Sequence, residues 1–209
     1  MVLEMSESMS ESMPGPISES LAALLQLAQL PVPLSRALRG AYPVVSAADM
    51  EAAFDRLAVT LTAALQDKNP VVLGLLPGST YLLGALLQRV VLPMQVAYAT
   101  VVADALQPFG ELPALQARVL LLVDDGQLSD AEAAAVVAQM TGFGASEIWR
   151  CSLVRDHDVM AQEGVEQWLS AVVCTNQGLF GCGLDVQGYC RNLPTLYSLN
   201  THQITSLHA

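Results

Sequence analysis

The stretch VLLLVDDGQLSDAEAAAVVAQM, residues 119–140, decides the fold. It opens on an apolar run, turns acidic at Asp124-Asp125, and after a short polar turn becomes a helix rich in Ala and Val. A buried strand feeding a turn and then a helix places that turn at the carboxyl end of a parallel sheet, where open α/β folds hold their ligands.

Outward from this stretch the same alternation recurs. Residues 71–76 read as a buried strand, Pro77-Gly78-Ser79-Thr80 as a turn and 81–90 as a helix; residues 94–102 read as the next strand. A helix begins behind Ser46, a suitable N-cap with Asp49 in the first turn, and carries Met50, Phe54, Leu57, Leu61 and Leu65 at steps of three and four. Strands are expected at 118–123, 147–154 and 169–174, with a helix at 128–141. Residues 103–117 hold two prolines and a glycine and read as a connecting loop. Strands alternating with helices make the chain α/β, with a mostly parallel, doubly wound sheet.

The flanks differ. Residues 1–15 repeat Ser, Glu and Met and read as a disordered acidic tail. A helical extension is expected over 16–41, with Leu and Ala at helical spacing from Ile17 to Leu30 and prolines at 31 and 33. The main domain then runs over 42–199, and 200–209 reads as a frayed C-terminal tail.

Composition excludes several functions. With 53% hydrophobic residues the chain is apolar, yet no run of about 18 residues escapes a charge, Pro or Gly, so strands buried on both faces explain the excess better than a membrane span. The net charge is −11 and Lys68 is the only lysine, so there is no basic footprint for nucleic acid. The N-terminal residues lack a basic and apolar leader, which leaves the cytoplasm as the expected location. Four cysteines without CxxC spacing read as reduced, buried thiols.

Three segments, NPVVLGLLPGSTYLLGALL, VLLLVDDGQLSD and LFGCGLDVQGYCRNLPTLYSL, together resemble the type I phosphoribosyltransferases, and more narrowly the bacterial hypoxanthine-guanine phosphoribosyltransferases. The resemblance runs from about Tyr42 to Leu199, and Gly183-Leu184-Asp185, Gly188-Tyr189 and Arg191-Asn192-Leu193-Pro194 carry it most specifically. It implies a flavodoxin-like core with a small hood and transfer of ribose 5-phosphate from phosphoribosyl pyrophosphate (PRPP) to a purine base. Magnesium would accompany that reaction, in a dimer or tetramer.

By resemblance, Asp124 and Asp125 would hold the ribose hydroxyls, and Ser129 would lie in the loop that cradles the 5′-phosphate. Pro77 and Gly78 fall at the pyrophosphate-side turn, and Arg155 where a lysine bonds the purine carbonyl. Leu179 would contact the base; Gly178 beside it falls where an aromatic often stacks. Asp185 matches a carboxylate near the metal, and Arg191 an arginine of the pyrophosphate side. The family's mobile loop should lie between 99 and 117.

The residues depart from the pattern at the point of chemistry. Leu128 stands where the family has its proton-accepting Asp, and a leucine accepts no proton. Asp130 and Glu132 replace the small residues that would let backbone N–H groups reach a phosphate. Sliding the register two places offers Asp130 as the base, followed by Ala131-Glu132 in place of Thr-Gly. Ser129-Asp130-Ala131-Glu132 instead spells a capping box, in which the helix satisfies its own free donors. Pro77 has no N–H to offer an oxyanion. Two functions follow: a catalytically impaired relative that binds a purine, a nucleotide or a protein partner, or an active enzyme of purine salvage.

Overall fold

A computed structural model of the chain describes residues 3–4, 19–27, 29–159, 161–175 and 177–207. In chain order the elements begin with β1 (Leu3–Glu4), α1 (Glu19–Leu27), α2 (Val32–Leu38), β2 (Tyr42–Val45), α3 (Ala47–Leu65) and β3 (Val71–Leu75). The middle of the chain forms α4 (Thr80–Leu87), β4 (Gln95–Val102), β5 (Ala105–Pro108), β6 (Val119–Asp124) and α5 (Asp130–Gly142). Then come β7 (Glu147–Arg155), β8 (Gln167–Val173), β9 (Leu179–Phe180), β10 (Leu196–Ser198) and α6 (Thr201–Leu207).

These elements divide into two compact units, one formed by 3–4 and 52–175, the other by 19–51 and 177–207 of the described residues. The first unit is the expected α/β sheet, ordered β1-β8-β7-β6-β3-β4-β5 and parallel except for the β4–β5 pair. Its central strands β3 and β6 are buried at every residue, as continuous apolar runs require. Val71, Leu73, Leu120, Leu122 and Ile148 pack against Val136, Val137 and Met140 of α5 to form one side of the core.

The second unit holds a three-stranded antiparallel sheet, β2-β10-β9. Around it Leu21 of α1, Leu34 and Leu38 of α2, and Phe180, Leu193 and Tyr197 of the C-terminal segment share a core. The rings of Phe180 and Tyr197 stack at 5.2 Å. The helical extension expected over 16–41 therefore packs with the end of the chain.

Three expectations are corrected. Residues 103–117 are not all loop, because β5 folds back on β4 through Ala103 and Asp104, both with positive φ (49° and 59°). This tight turn lacks the Asn-Gly type of signal that marks such hairpins in sequence. The side-chain amide of Gln139 on α5 then fastens the hairpin, accepting from Leu106 N at 3.0 Å and donating to Leu106 O at 3.3 Å. The mobile loop expected at 99–117 is in this part a strand pair.

The ending expected as a tail is helical over Thr201–Leu207. Asn200 Oδ1 accepts from Gln203 N while Gln203 Oε1 accepts from Asn200 N, and Ile204 and Leu207 pack on the unit's core. The acidic stretch 1–15 lies outside the described residues except for Leu3 and Glu4, which pair in parallel with Val172 and Val173. Among the described residues no helix is long and apolar enough to cross a membrane.

Candidate active site

The register of the sheet builds the site from its centre. Leu122 on β6, Arg150 on β7 and Trp168 on β8 lie in line across three strands. Asp124, two residues beyond Leu122, projects from the same face, since side chains alternate along a strand. Arg150 reaches it with two bonds, Nε to Oδ2 at 2.6 Å and Nη2 to Oδ1 at 3.2 Å. Both side chains are buried. Gly126 N donates to Oδ1 at 2.7 Å.

The guanidinium of Arg150 also lies 4.1 Å from the centre of the Trp168 ring and donates to Gln162 Oε1 at 2.7 Å. Trp168 Nε1 in turn donates to Ser152 Oγ at 2.9 Å. This network commits the carboxylate of Asp124 to the interior of the first unit. Sequence reasoning passed over Arg150, although an arginine amid the apolar residues of EIWRCSLVR is the signal of a buried partner.

Asp125, Pro77 and Gly78 come together. A Cβ on Gly78 would lie 1.7 Å from Asp125 Oδ2, so a larger residue in this turn would force the Asp125 side chain to move. The other oxygen, Oδ1, accepts from Gln127 N at 3.0 Å. The Leu76–Pro77 peptide is cis. Close approach recurs at Gly126, where φ is +89° and a Cβ would meet Val154 O at 1.9 Å.

The capping box read from the sequence is formed. Ser129 Oγ accepts from Glu132 N at 3.3 Å, and Glu132 Oε2 accepts from Ser129 N at 2.9 Å. The bond from the Ser129 backbone, then that from its hydroxyl, hold the Glu132 carboxyl below the usual value for a glutamate. Asp130 joins Glu132 in the first turn, where carboxylates complement the helix dipole. Leu128 is partly buried and packs against the core.

Arg155 ends β7 with its guanidinium 5.9 Å from the Trp168 ring centre, and its buried Nε has no partner among the described residues. Leu179, Asp185 and Arg191 belong to the second unit. There Arg191 pairs with Asp185 and donates from Nη1 to Gly183 O at 2.6 Å, while Gly188 N donates to Asp185 Oδ2 at 2.5 Å. Leu179 is buried in β9. At Gly178, with φ +62°, a Cβ would meet Leu199 O at 2.7 Å, so the backbone excludes an aromatic side chain there.

The donor set does not fit a resident metal ion. Both oxygens of Asp185 are engaged within its own turn, and no group of three or more His, Cys, Asp or Glu among the described residues could hold a cation. The thiols offer no alternative chemistry, because burial raises all four. Burial and then the neighbouring acid push Cys174 and Cys190 to about 11 and Cys182 to about 12, with Cys151 higher still.

No family model and no curated sequence matches the chain. Solved structures do. A hypoxanthine phosphoribosyltransferase from Staphylococcus aureus matches with a TM-score of 0.66 at 16% identity, over 77% of this chain and 91% of that one. A hypoxanthine-guanine-xanthine phosphoribosyltransferase matches with a TM-score of 0.65 at 22% identity, over 76% and 96%. The Trypanosoma cruzi hypoxanthine phosphoribosyltransferase, in complex with the product IMP, matches at 0.64 and 11%, over 77% and 94%. With its parallel sheet, its acidic strand end and these neighbours, the chain has the type I phosphoribosyltransferase fold of the hypoxanthine phosphoribosyltransferases.

Proposed function

We propose that the chain is a hypoxanthine-guanine phosphoribosyltransferase-like protein that is catalytically impaired, retains weak affinity for a purine or nucleotide, and serves as a binding or interaction protein. One observation carries this reading. Two backbone donors at the start of α5 that could cradle a 5′-phosphate, Glu132 N and Ser129 N, are taken by Ser129 Oγ and Glu132 Oε2, at 3.3 and 2.9 Å. A phosphate would have to displace a carboxylate and sit beside Asp130. Leu128 in the proton acceptor's place and Arg150 on Asp124 support the same conclusion.

The second reading is an active purine-salvage enzyme making IMP or GMP and pyrophosphate from PRPP and hypoxanthine or guanine. The unpartnered Nε of Arg155, at the position that resembles the purine-binding lysine, favours it. Magnesium belongs to this reading alone; it would arrive with the substrate phosphates, since Asp185 is committed to Gly188 and Arg191.

Incubation with Mg²⁺, PRPP and hypoxanthine or guanine, with the nucleotide measured by chromatography, separates the two. The impaired reading expects no turnover above background. Turnover at ordinary enzyme rates, about 1–10³ per second, overturns it. Thermal denaturation with millimolar IMP or GMP tests the retained site: a ligand of the native state must raise the melting temperature, and no shift removes that part of the proposal.

A further inference from the structure

We propose that the exposed face of α2 is a docking surface for a partner protein, and that it takes an acidic segment with an apolar anchor. Leu34, Ala37 and Leu38 of this helix are buried in the second unit's core. The opposite face carries Val32, Ser35, Arg36 and Arg39, at the steps of three and four that set side chains on one stripe. With half-buried Leu30 they line an open groove of about 360 Å³. Val32 is 70% exposed, and both arginines are exposed.

Charge selects the occupant. The chain carries −11, yet from Ser20 to Ala48 its only charged residues are Arg36 and Arg39. Lys68, Arg89, Arg150 and Arg191 each meet a carboxylate within the fold. Arg36 and Arg39 meet none among the described residues, which leaves two guanidiniums one turn apart for carboxylates from outside. Arg36 in the last turn complements the end of α2, but that needs no second arginine and does not account for Val32 standing in water beside the pair.

Other anions fit less well. Nucleic acid and anionic membranes need an extended basic footprint, and in this unit Glu19, Asp49, Glu51 and Asp185 outweigh the arginines. A lone phosphate calls for enclosure and convergent polar groups, whereas this groove is open and shared with Leu30 and Val32. From Val32 to Arg39 the stripe is roughly 10 Å long, so a short segment with two acidic residues and one aliphatic residue engages all of it. The inference rests on the proposed interaction role and names its surface; none of its residues is a candidate for the purine or nucleotide, so its failure leaves the ligand site untouched.

An array of hexapeptides tests it, each with one Leu and two Glu at varied spacing, beside the same peptides with Gln for Glu. The full chain is expected to bind Glu peptides and not their Gln counterparts. In fluorescence anisotropy with the best-bound peptide, Arg36→Gln with Arg39→Gln should weaken binding at least about tenfold, and Lys68→Gln, which removes a cation elsewhere, should change it less than about twofold. Val32→Ser should weaken it as well, and so should added salt. The substituted side chains on α2 are exposed, so an unchanged circular dichroism spectrum and melting midpoint confirm that the variants fold. A chain that binds no Glu peptide above its Gln control overturns the proposal, as does a double variant that binds like the wild type. So does displacement of the peptide by equimolar inorganic phosphate, or tighter binding to phosphatidylserine vesicles or to a single-stranded oligonucleotide than to the peptide.

Discussion

Arg150 holds both carboxylate oxygens of Asp124 across neighbouring strands, at 2.6 and 3.2 Å, inside the first unit. In an open α/β fold an acid at the end of a central strand faces the ligand crevice. Here its oxygens turn back into the sheet, to a guanidinium stacked on Trp168. Removing one partner strands the other without water. Arg150→Met is expected to cost about 3–5 kcal/mol in urea denaturation, as for other broken buried pairs. The double variant Arg150→Met with Asp124→Leu should recover most of that loss. A single variant within about 1 kcal/mol of wild type, below the usual range for such a loss, would show that the pair is dispensable.

The cap on α5 makes a pH-dependent prediction. Ser129→Ala should lower stability at pH 7 by about 0.5–2 kcal/mol. Glu132 has a folded-state value below the ordinary 4.5, so its contribution is present above 4.5 and fades as pH falls through the lower folded value. The gap between wild type and Ser129→Ala should therefore narrow between pH 7 and pH 3. Denaturation midpoints at the two pH values measure it; a gap that widens on acidification would contradict the assignment.

What the sequence made legible follows from how local each determinant is. Strands β3 and β6 announce themselves as unbroken apolar runs, and the Ser129–Glu132 box depends on residues three apart. The Asp124–Arg150 pair joins residues 26 apart, and it becomes visible only when the register sets β6 beside β7. The β4–β5 hairpin escaped notice because Ala103 takes a left-handed conformation that its side chain does not advertise. At α6 the signal was present, since Asn200 and Gln203 have cap spacing, but THQITSL offers only Ile204 and Leu207 as apolar anchors.

Gln139 satisfies the outward N–H and C=O of Leu106 on the edge strand β5. An edge strand with free groups is a template for pairing with another chain. Gln139→Ala should therefore speed amide exchange at Leu106 and increase aggregation on mild heating, with a stability loss of about 1–2 kcal/mol for two lost bonds. Exchange at Leu106 that matches wild type would mean the clamp contributes nothing.

The four thiols should be silent in the folded protein. All are buried, and burial raises each of them, with Cys174 and Cys190 at about 11 and Cys182 at about 12. Since the thiolate is the reactive form, a disulfide reagent at pH 8 should release no chromophore from the native chain and the equivalent of all four cysteines once it is unfolded. Rapid reaction of any one thiol in the native state would show an opening of the fold that the burial does not predict.

Reopening the helix start is the most direct test of the proposal that the capping box closes this turn to a phosphate. Asp130→Gly with Glu132→Thr removes the carboxylate that accepts from Ser129 N and both negative charges of the first turn, and it supplies small residues in their place. Losing the cap and the dipole interaction should cost about 1–2 kcal/mol of stability. The freed N–H groups at the positive end of α5 then become available to an anion. Ribose 5-phosphate at millimolar concentration should raise the melting temperature of the double variant more than that of the wild type, measured against an equal concentration of ribose and salt. If the variant melts with the wild type, the capping box does not stabilise the helix. If it is destabilised but gains nothing from the sugar phosphate, the first-turn carboxylates are not what keeps the anion out.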